Sequence, residues 1–334
     1  NGGIRVSMFD SENVTYLNPE PRLSIALRTS PYFAVKLSYA SMNQYIHMLS
    51  NTGLSLPTDL WVPATARVKP QMSRQVAAGI VKDLTTKNIS FSLEGYYKKM
   101  NNVLAYREGA TFIEFEEPGD TKREDWQTKV TSGVSESYGA ELLLQKKEGM
   151  LTGWIGYTLS WTTMQFDSLN FGRKFYARYD RRHDISVVAV YKASERITLS
   201  GTWVFGTGNA ITIPLSEYWA EPNLFEDDGN VYYQEESDPM FFNRHTVLEY
   251  GDKNNFRMRP YHRLDISIQF HKEKKWGERI WEFSVYNAYS RLNPFFYYNE
   301  NQYINGKSYG KLRQVSLFPI IPSFTYSFRF NYSK

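Results

Sequence analysis

Two short runs carry residue types that could do acid–base chemistry. One is Arg181, Arg182, His183 and Asp184; the other is Tyr261, His262, Arg263 and Asp265. An imidazole beside a carboxylate can move protons only if a nucleophile or second acid completes the set. No Ser, Cys or second acid stands at such a spacing near either run, so neither a catalytic residue nor an enzyme is expected. Both runs instead open stretches of alternating residues, which fits strands leaving an outer rim with alternate charges turned into a wet interior.

The other chemical candidate is the segment from Ser216 to Phe242. Glu217, Glu221, Glu226, Asp227, Asp228, Glu235, Glu236 and Asp238 lie there among Tyr218, Trp219, Phe225, Tyr232, Tyr233, Phe241 and Phe242. Rings beside hydrogen-bonding acids suit a sugar or another polar ligand with a flat apolar face. The expected substrate contacts are Tyr218, Trp219, Tyr232, Tyr233, Glu226 and Asp227, with a solvated acidic loop as the plainer alternative. Asp227-Asp-Gly-Asn230 could hold calcium, but it lacks the ligand spacing and distal Glu of a calcium loop. No metal site and no cofactor is expected.

Composition narrows the frame that could position such residues. The 334 residues include 25 Tyr, 21 Phe and 8 Trp, yet mean hydropathy is −0.50. A soluble core would favour Leu, Val and Ile. A membrane barrel needs alternating apolar residues, rings at both lipid boundaries and polar residues inside. Lys and Arg total 39 against 35 Asp and Glu, intermixed along the chain, so no electrostatic footprint for nucleic acid exists. Cysteine is absent, which removes disulfides and thiolate metal sites. No stretch approaches the ~20 apolar residues of a spanning helix, and a membrane protein without such helices must be a barrel.

Alternation of period two recurs along the chain. Ile89, Phe91, Leu93 and Tyr97 oppose Ser90, Ser92, Glu94 and Lys98, and Ile197, Leu199, Trp203 and Phe205 oppose Thr198, Ser200 and Thr202. Leu264, Ile266, Ile268 and Phe270 alternate with Arg263, Asp265, Ser267 and Gln269. A dry core could not accept an acid, a base, a hydroxyl and an amide on one face, so that face must be wet. Tight connections near residues 30–31, 85–87, 147–149, 193–195 and 272–277 trade places with long ones at 47–71, 101–134, 167–182, 206–257 and 293–311. That asymmetry is expected of outer-membrane barrels, with tight turns in the periplasm. Trp154, Trp161, Trp203, Trp281 and the terminal Phe and Tyr residues are expected in the interfacial girdles.

The runs give about 11 strands, with Lys311 to Phe330 taken as one strand kinked at Pro319-Ile-Ile-Pro322. An odd count and the abrupt Asn1-Gly-Gly start suggest part of a larger barrel. The series Arg259-Pro-Tyr-His-Arg-Leu-Asp-Ile-Ser-Ile268, Trp281-Glu-Phe-Ser-Val-Tyr-Asn287, Arg291-Leu-Asn-Pro294, Gln314-Val-Ser-Leu-Phe-Pro-Ile-Ile-Pro322 and Tyr326-Ser-Phe-Arg-Phe330 resembles the C-terminal strands of TonB-dependent receptors. Met42-Asn-Gln-Tyr-Ile-His47, Leu56-Pro-Thr-Asp-Leu-Trp-Val62 and Tyr179-Asp-Arg-Arg-His-Asp184 resemble the same family's barrel.

The resemblance implies an all-β fold: residues 1–334 as the C-terminal part of an antiparallel, 22-stranded transmembrane barrel in the bacterial outer membrane. It implies import of a siderophore, cobalamin, oligosaccharide or peptide past a plug driven by TonB. No plug or TonB-box segment is recognisable here. The implied partners are therefore outer-membrane lipid, the N-terminal barrel half and plug of the same receptor, and TonB acting through that plug; a surface lipoprotein over the loops is left open. Glu94, Glu141, Arg263 and Asp265 would face the lumen and plug. The competing expectation is a self-contained barrel of about 12 strands, a passive channel or membrane-embedded hydrolase, which needs the first strand to pair with the last.

Overall fold

The computed structural model describes residues 1–11, 13–50, 59–108, 110, 125–219, 225–227, 230–232, 246–304 and 307–330. Twelve long strands form one antiparallel sheet in chain order. They are β1 (Gly2–Ser11), β2 (Val14–Ser30), β3 (Phe33–Gln44), β4 (Gln71–Leu84), β5 (Ile89–Tyr106) and β6 (Val130–Lys146). β7 (Leu151–Gln165), β8 (His183–Ser194), β9 (Ile197–Gly206), β10 (Tyr261–Lys274), β11 (Gly277–Tyr286) and β12 (Ile321–Phe330) follow. Among the described residues, β1 and β12 are the two edges and do not pair with each other. No helix of the described residues is long and apolar enough to cross a membrane.

The register gathers the alternating residues into two continuous faces, because directly opposed residues of antiparallel strands point the same way. One row runs Ile155, Val187, Trp203 and Leu264 across four strands. Another runs Phe270, Trp281 and Tyr326. The interleaved rows are polar, as in Glu94, Glu141, Thr158 and Asp184, or Thr198, Gln269, Glu282 and Thr325. Ile4, Ile266 and Phe324 are 74%, 45% and 52% exposed. Apolar side chains so open along a whole face require hydrocarbon against it.

Tight turns join β2 to β3, β4 to β5, β6 to β7, β8 to β9 and β10 to β11 on one rim. The long connections all leave from the other rim, which is the outer one by the usual asymmetry. The described residues form three buried apolar clusters. One gathers Leu49, Val62, Val68, Leu104 and Val130; the second Val103, Phe166, Leu169 and Phe175; the third Ile211, Met258 and Tyr297. Each lies at outer strand ends and loop hairpins. The wall has no core of its own, since lipid and water cover its faces.

Three details differ from the sequence expectations. Gly2–Ser11 adds a strand, which pairs with β2 from Gly2 opposite Leu23 to Ser11 opposite Val14. Residues 311–330 are not one kinked strand. Lys307–Ser316 pairs with Pro294–Ile304 as a separate hairpin, and residues 317–320 lead from it into β12. Trp154 stands on the polar face, opposite Gln145 and Val188, and so lies outside the lipid girdle. Its neighbour Gly153 has φ +149°, and a Cβ there would collide with the Val188 carbonyl, so the site accepts no side chain.

The two faces should respond differently to charge. Ile266→Arg is expected to destabilise the full-length receptor by about 2–4 kcal/mol, and Ser267→Arg by much less. Urea unfolding in detergent or lipid, followed by heat-modifiable gel mobility, compares them; equal losses would contradict the assignment of faces.

Candidate functional site

The polar face holds the expected lumen residues in two arrangements. Glu94 and Glu141 oppose each other directly across β5 and β6; both are exposed, and neither has an ion pair among the described residues. Two like charges side by side favour a cationic or hydrogen-bond-donating partner. Arg263 and Asp265 are already engaged. Arg263 Nη2 lies 2.9 Å from Asp265 Oδ2, and Arg263 Nη1 donates to the hydroxyls of Tyr261 and Tyr286, both at 2.8 Å. Asp265 Oδ1 accepts the Asn287 backbone N–H at 2.9 Å.

The structure disperses the two candidate acid–base runs. Arg181 pairs with Asp184 at 3.4 Å, and Arg182 with Asp180 at 3.4 Å. His183 lies on the apolar face, where its Nδ1 is 2.9 Å from the Tyr157 hydroxyl. His262 likewise stands on that face, with Nδ1 2.8 Å from the Tyr289 hydroxyl. Alternation splits each imidazole from its neighbouring charges, so no proton-transfer set forms among the described residues.

Sequence reasoning missed the outer-rim polar core. Asp180 is fully buried and accepts the Thr162 backbone N–H at 2.6 Å. It also pairs with Arg257, whose guanidinium lies over the Tyr176 ring at 5.0 Å. The Arg182 guanidinium stacks 4.6 Å from the Trp161 ring. Asp180 thereby ties the loop before β8 to the segment before β10. Two asparagines do similar work. The Asn293 side chain accepts from His262 N at 3.0 Å and donates to His262 O at 2.9 Å. Asn287, at φ 53°, donates to Arg291 O and Phe318 O. The signal was present in Asn287 and Asn293, since an Asn mimics backbone partners at such corners.

A further cluster the sequence did not announce sits at the outer mouth on the polar face. Phe9 stacks on Tyr45 with centroids 5.0 Å apart and planes 7° apart. The Tyr45 hydroxyl is held by Ser7 at 2.7 Å and by Asn18 at 2.9 Å. With Gln44, Ile46 and Trp61 these rings line a cavity of about 630 Å³.

The acidic loop is described in part. Pro214–Trp219 pairs with Thr246–Tyr250, which sets Tyr218 opposite Val247 and Trp219 opposite Thr246. Phe225–Asp227 pairs with Asn230–Tyr232, with Glu226 opposite Val231 and Asp227 opposite Asn230. Tyr233, Asp228 and Gly229 lie outside the described residues. Among the described residues no group of three His, Cys, Asp or Glu could hold a metal ion.

The model of the TonB dependent receptor-like β-barrel family matches residues 1–288. The chain belongs to that family. It is therefore a bacterial outer-membrane barrel protein, and its family is one of receptors, not enzymes. No curated protein matches it in sequence. In fold it is similar to the ferripyoverdine receptor of Pseudomonas aeruginosa, at TM-score 0.52 and 13% identity over 88% of this chain and 32% of that one. It is also similar to the ferric-catecholate import receptor Fiu of E. coli K12 (TM-score 0.51, 12% identity, 94% of this chain and 35% of that one). The siderophore receptor PiuA of Acinetobacter baumannii gives TM-score 0.53 and 11% identity over 98% and 39%. The chain thus spans roughly a third of the solved receptors' length.

Two outcomes follow for the outer rim of this TonB-dependent receptor barrel. Asp180→Asn should cost about 3–5 kcal/mol, because it leaves Arg182 and Arg257 without their buried counter-charge. Amides at Phe175–Tyr176 and Ala210–Ile211 should then exchange hydrogen faster, and unchanged exchange would refute the tie. His47 lies in the hairpin Ile46–Ser50 with Asp59–Pro63, buried, with no hydrogen bond to either ring nitrogen among the described residues. Burial holds its imidazole below the ordinary histidine value of 6.5, and the nearby Lys69 backbone offsets this only in part. The folded state thus binds fewer protons than the unfolded state. Hairpin stability should be fully present above pH 6.5 and should fall as pH drops below it. Hydrogen exchange of the hairpin between pH 7.5 and 5 should accelerate in the wild type relative to His47→Leu, after correction for intrinsic rates.

Proposed function

We propose that this chain is the C-terminal part of the β-barrel of a receptor that imports a nutrient ligand across the outer membrane with energy from TonB. The observation that carries the reading is the open wall. Among the described residues, β1 and β12 each present an unpaired ladder beside an apolar face. Unpaired backbone N–H and C=O groups in hydrocarbon cost several kcal/mol each, so further strands must complete the ring. A barrel of about 22 strands has a lumen wide enough to need a plug.

On this reading Glu94, Glu141, Arg263 and Asp265 meet the plug of the same receptor. TonB pulls on that plug from the tight-turn side. Tyr218, Trp219, Glu226, Asp227, Tyr232 and Tyr233 meet the ligand on the long-loop side, together with the Phe9 and Tyr45 platform. The names of the solved relatives, which include a ferripyoverdine and a ferric-catecholate receptor, favour a ferric siderophore over cobalamin, oligosaccharide or peptide. A surface lipoprotein above the loops is compatible with the same geometry. A self-contained channel or hydrolase would need β1 hydrogen-bonded to β12, and the separation of those edges weighs against it.

The full-length receptor should be expressed in a host lacking its own siderophore receptors and supplied with radioactive iron on a siderophore panel. Uptake of one siderophore type that disappears on deletion of tonB is the expected result. Uptake independent of TonB, or steady single-channel currents from the full-length receptor, would overturn the proposal.

A further inference from the structure

The polar face of β1 to β3 carries cations that the wall itself does not neutralise. Arg5 of β1 stands opposite Glu20 of β2, and Arg22 lies one step further along the same face of β2. Lys36 of β3 opposes Ala26, and Arg28 opposes Ala34. All of these cations are exposed. Among the described residues Glu20 is the only acid on that face of the three strands, and it is buried. Its carboxylate accepts the Ser7 hydroxyl at 2.9 Å and the Asn43 backbone N–H at 3.1 Å. Arg5 Nε and Arg22 Nη2 share it at 3.7 and 3.6 Å, so two guanidinium groups on one carboxylate leave a positive charge over. Lys36 and Arg28 make no side-chain ion pair or hydrogen bond among the described residues. Asp83 and Glu94, the acids that face the same way on β4 and β5, pair with neither.

The cations stand at successive depths of the wall. At a rise of ~3.4 Å per residue, the column from the Glu20 level to Arg28 descends about 27 Å. That matches the ~25 Å height of a barrel's apolar band. The outer end is continuous with Phe9 and Ser7 on the same face of β1, so the column begins directly beneath the Phe9 and Tyr45 platform. The inner end lies beside the tight turn between β2 and β3. Between the cations the face is short-sided, with Ser24 opposite Ser38 and Gly79 beside Lys36, so the long basic side chains stand clear of the wall. Arg263 on β10 shows the contrary arrangement, its charge cancelled by Asp265 at 2.9 Å. Uncancelled cations at spaced depths attract an anion at each level and hold it firmly at none, which is what passage requires.

We infer that this column is the path along which the receptor passes a negatively charged ligand from its mouth toward the periplasm, between the β1 to β3 wall and the plug. The path rests on the import reading, and adds to it the charge of the ligand and the side of the lumen it uses. The occupant follows from charge complementarity and from continuity with the platform that meets the ligand. A neutral ligand would gain nothing from the cations, and a cationic one would be repelled by them. An acidic face of the plug is the other occupant of matching charge; it would pair the cations permanently and shut the wall off from solvent.

The chain contains no cysteine, and Ser38 is exposed on the polar face between the Arg22 and Lys36 levels. Ser38→Cys in the full-length receptor therefore places a thiol in the column, with the unsubstituted receptor as the blank. Cells with TonB are treated from outside with sulfonatoethyl or trimethylammonioethyl methanethiosulfonate, an anionic and a cationic reagent of similar size, and labelling is read by mass spectrometry of the purified receptor. Relative to free cysteine, the anionic reagent should react at least tenfold faster. Adding Arg28→Gln and Lys36→Gln should cut that preference at least threefold, with heat-modifiable mobility verifying the fold. Equal rates, or a preference that the added substitutions leave unchanged, would overturn the inference. Protection of the thiol from both reagents would assign the cations to an acidic face of the plug and overturn it as well. Iron uptake with and without tonB in the same cells tests the import reading by itself: anion-selective labelling with uptake independent of TonB would sink that reading alone.

Discussion

A single wall of strands between hydrocarbon and water governs everything else in this chain. Every backbone group inside the membrane must be satisfied by a neighbouring strand, and every side chain has only two directions to point. The register meets both demands at once: Leu93 faces Leu142 and Glu94 faces Glu141 one residue later. A slip of one residue would turn every apolar row to water and every charge to lipid, so the alternation fixes the pairing. Stability in such a wall comes from ladder hydrogen bonds and lipid contact, with no interior to pack.

The outer rim solves a different problem. Beyond the membrane the chain must hold long connections over open water, and there it builds dry packing of its own. Leu49 and Val62 close one small cluster and Phe166 and Phe175 another. Buried polar groups replace strand pairing as the tie between loops. Asp180 collects Arg182, Arg257 and the Thr162 amide, and Asn293 continues the His262 ladder by one more pair. Such a frame can vary its loops without disturbing the wall beneath, which is what a receptor's recognition surface requires.

The sequence made the wall legible because period two is a local property. Asp265 between Leu264 and Ile266 already says that one side is wet. The same parity also assigns Trp154 to the polar face, beside Thr152, Gly156 and Thr158, once its chemical preference for interfaces is set aside. The loop hairpins were less legible. Lys307–Ser316 runs toward β12 with no Gly or Pro turn signal of its own at its end, and only its partner, Pro294–Ile304, shows that it belongs to a separate hairpin. Gly2–Ser11 itself alternates, Ile4, Val6 and Met8 against Arg5 and Ser7, but Pro19 and Pro21 in its partner read as strand breakers. The site was harder still. Phe9 meets Tyr45 and Asp180 meets Arg257 across 36 and 77 positions of sequence, and no local pattern encodes such meetings.

The histidines show how the wall turns sequence neighbours into opposites. His183 and Asp184 are adjacent, as are His262 and Arg263, and in a loop either pair could share a proton. On a strand they are sent to different solvents. Each carboxylate or guanidinium goes to the wet face, where Arg263 finds Asp265 and Tyr286, and each imidazole goes to the lipid boundary beside a tyrosine. Imidazoles at headgroup depth can keep a partner on one nitrogen and offer the other to the membrane, whereas at mid-membrane that second nitrogen would be left unsatisfied. Their position at the outer strand ends is therefore a consequence of the same two-sided constraint that places Ile266 and Asp265.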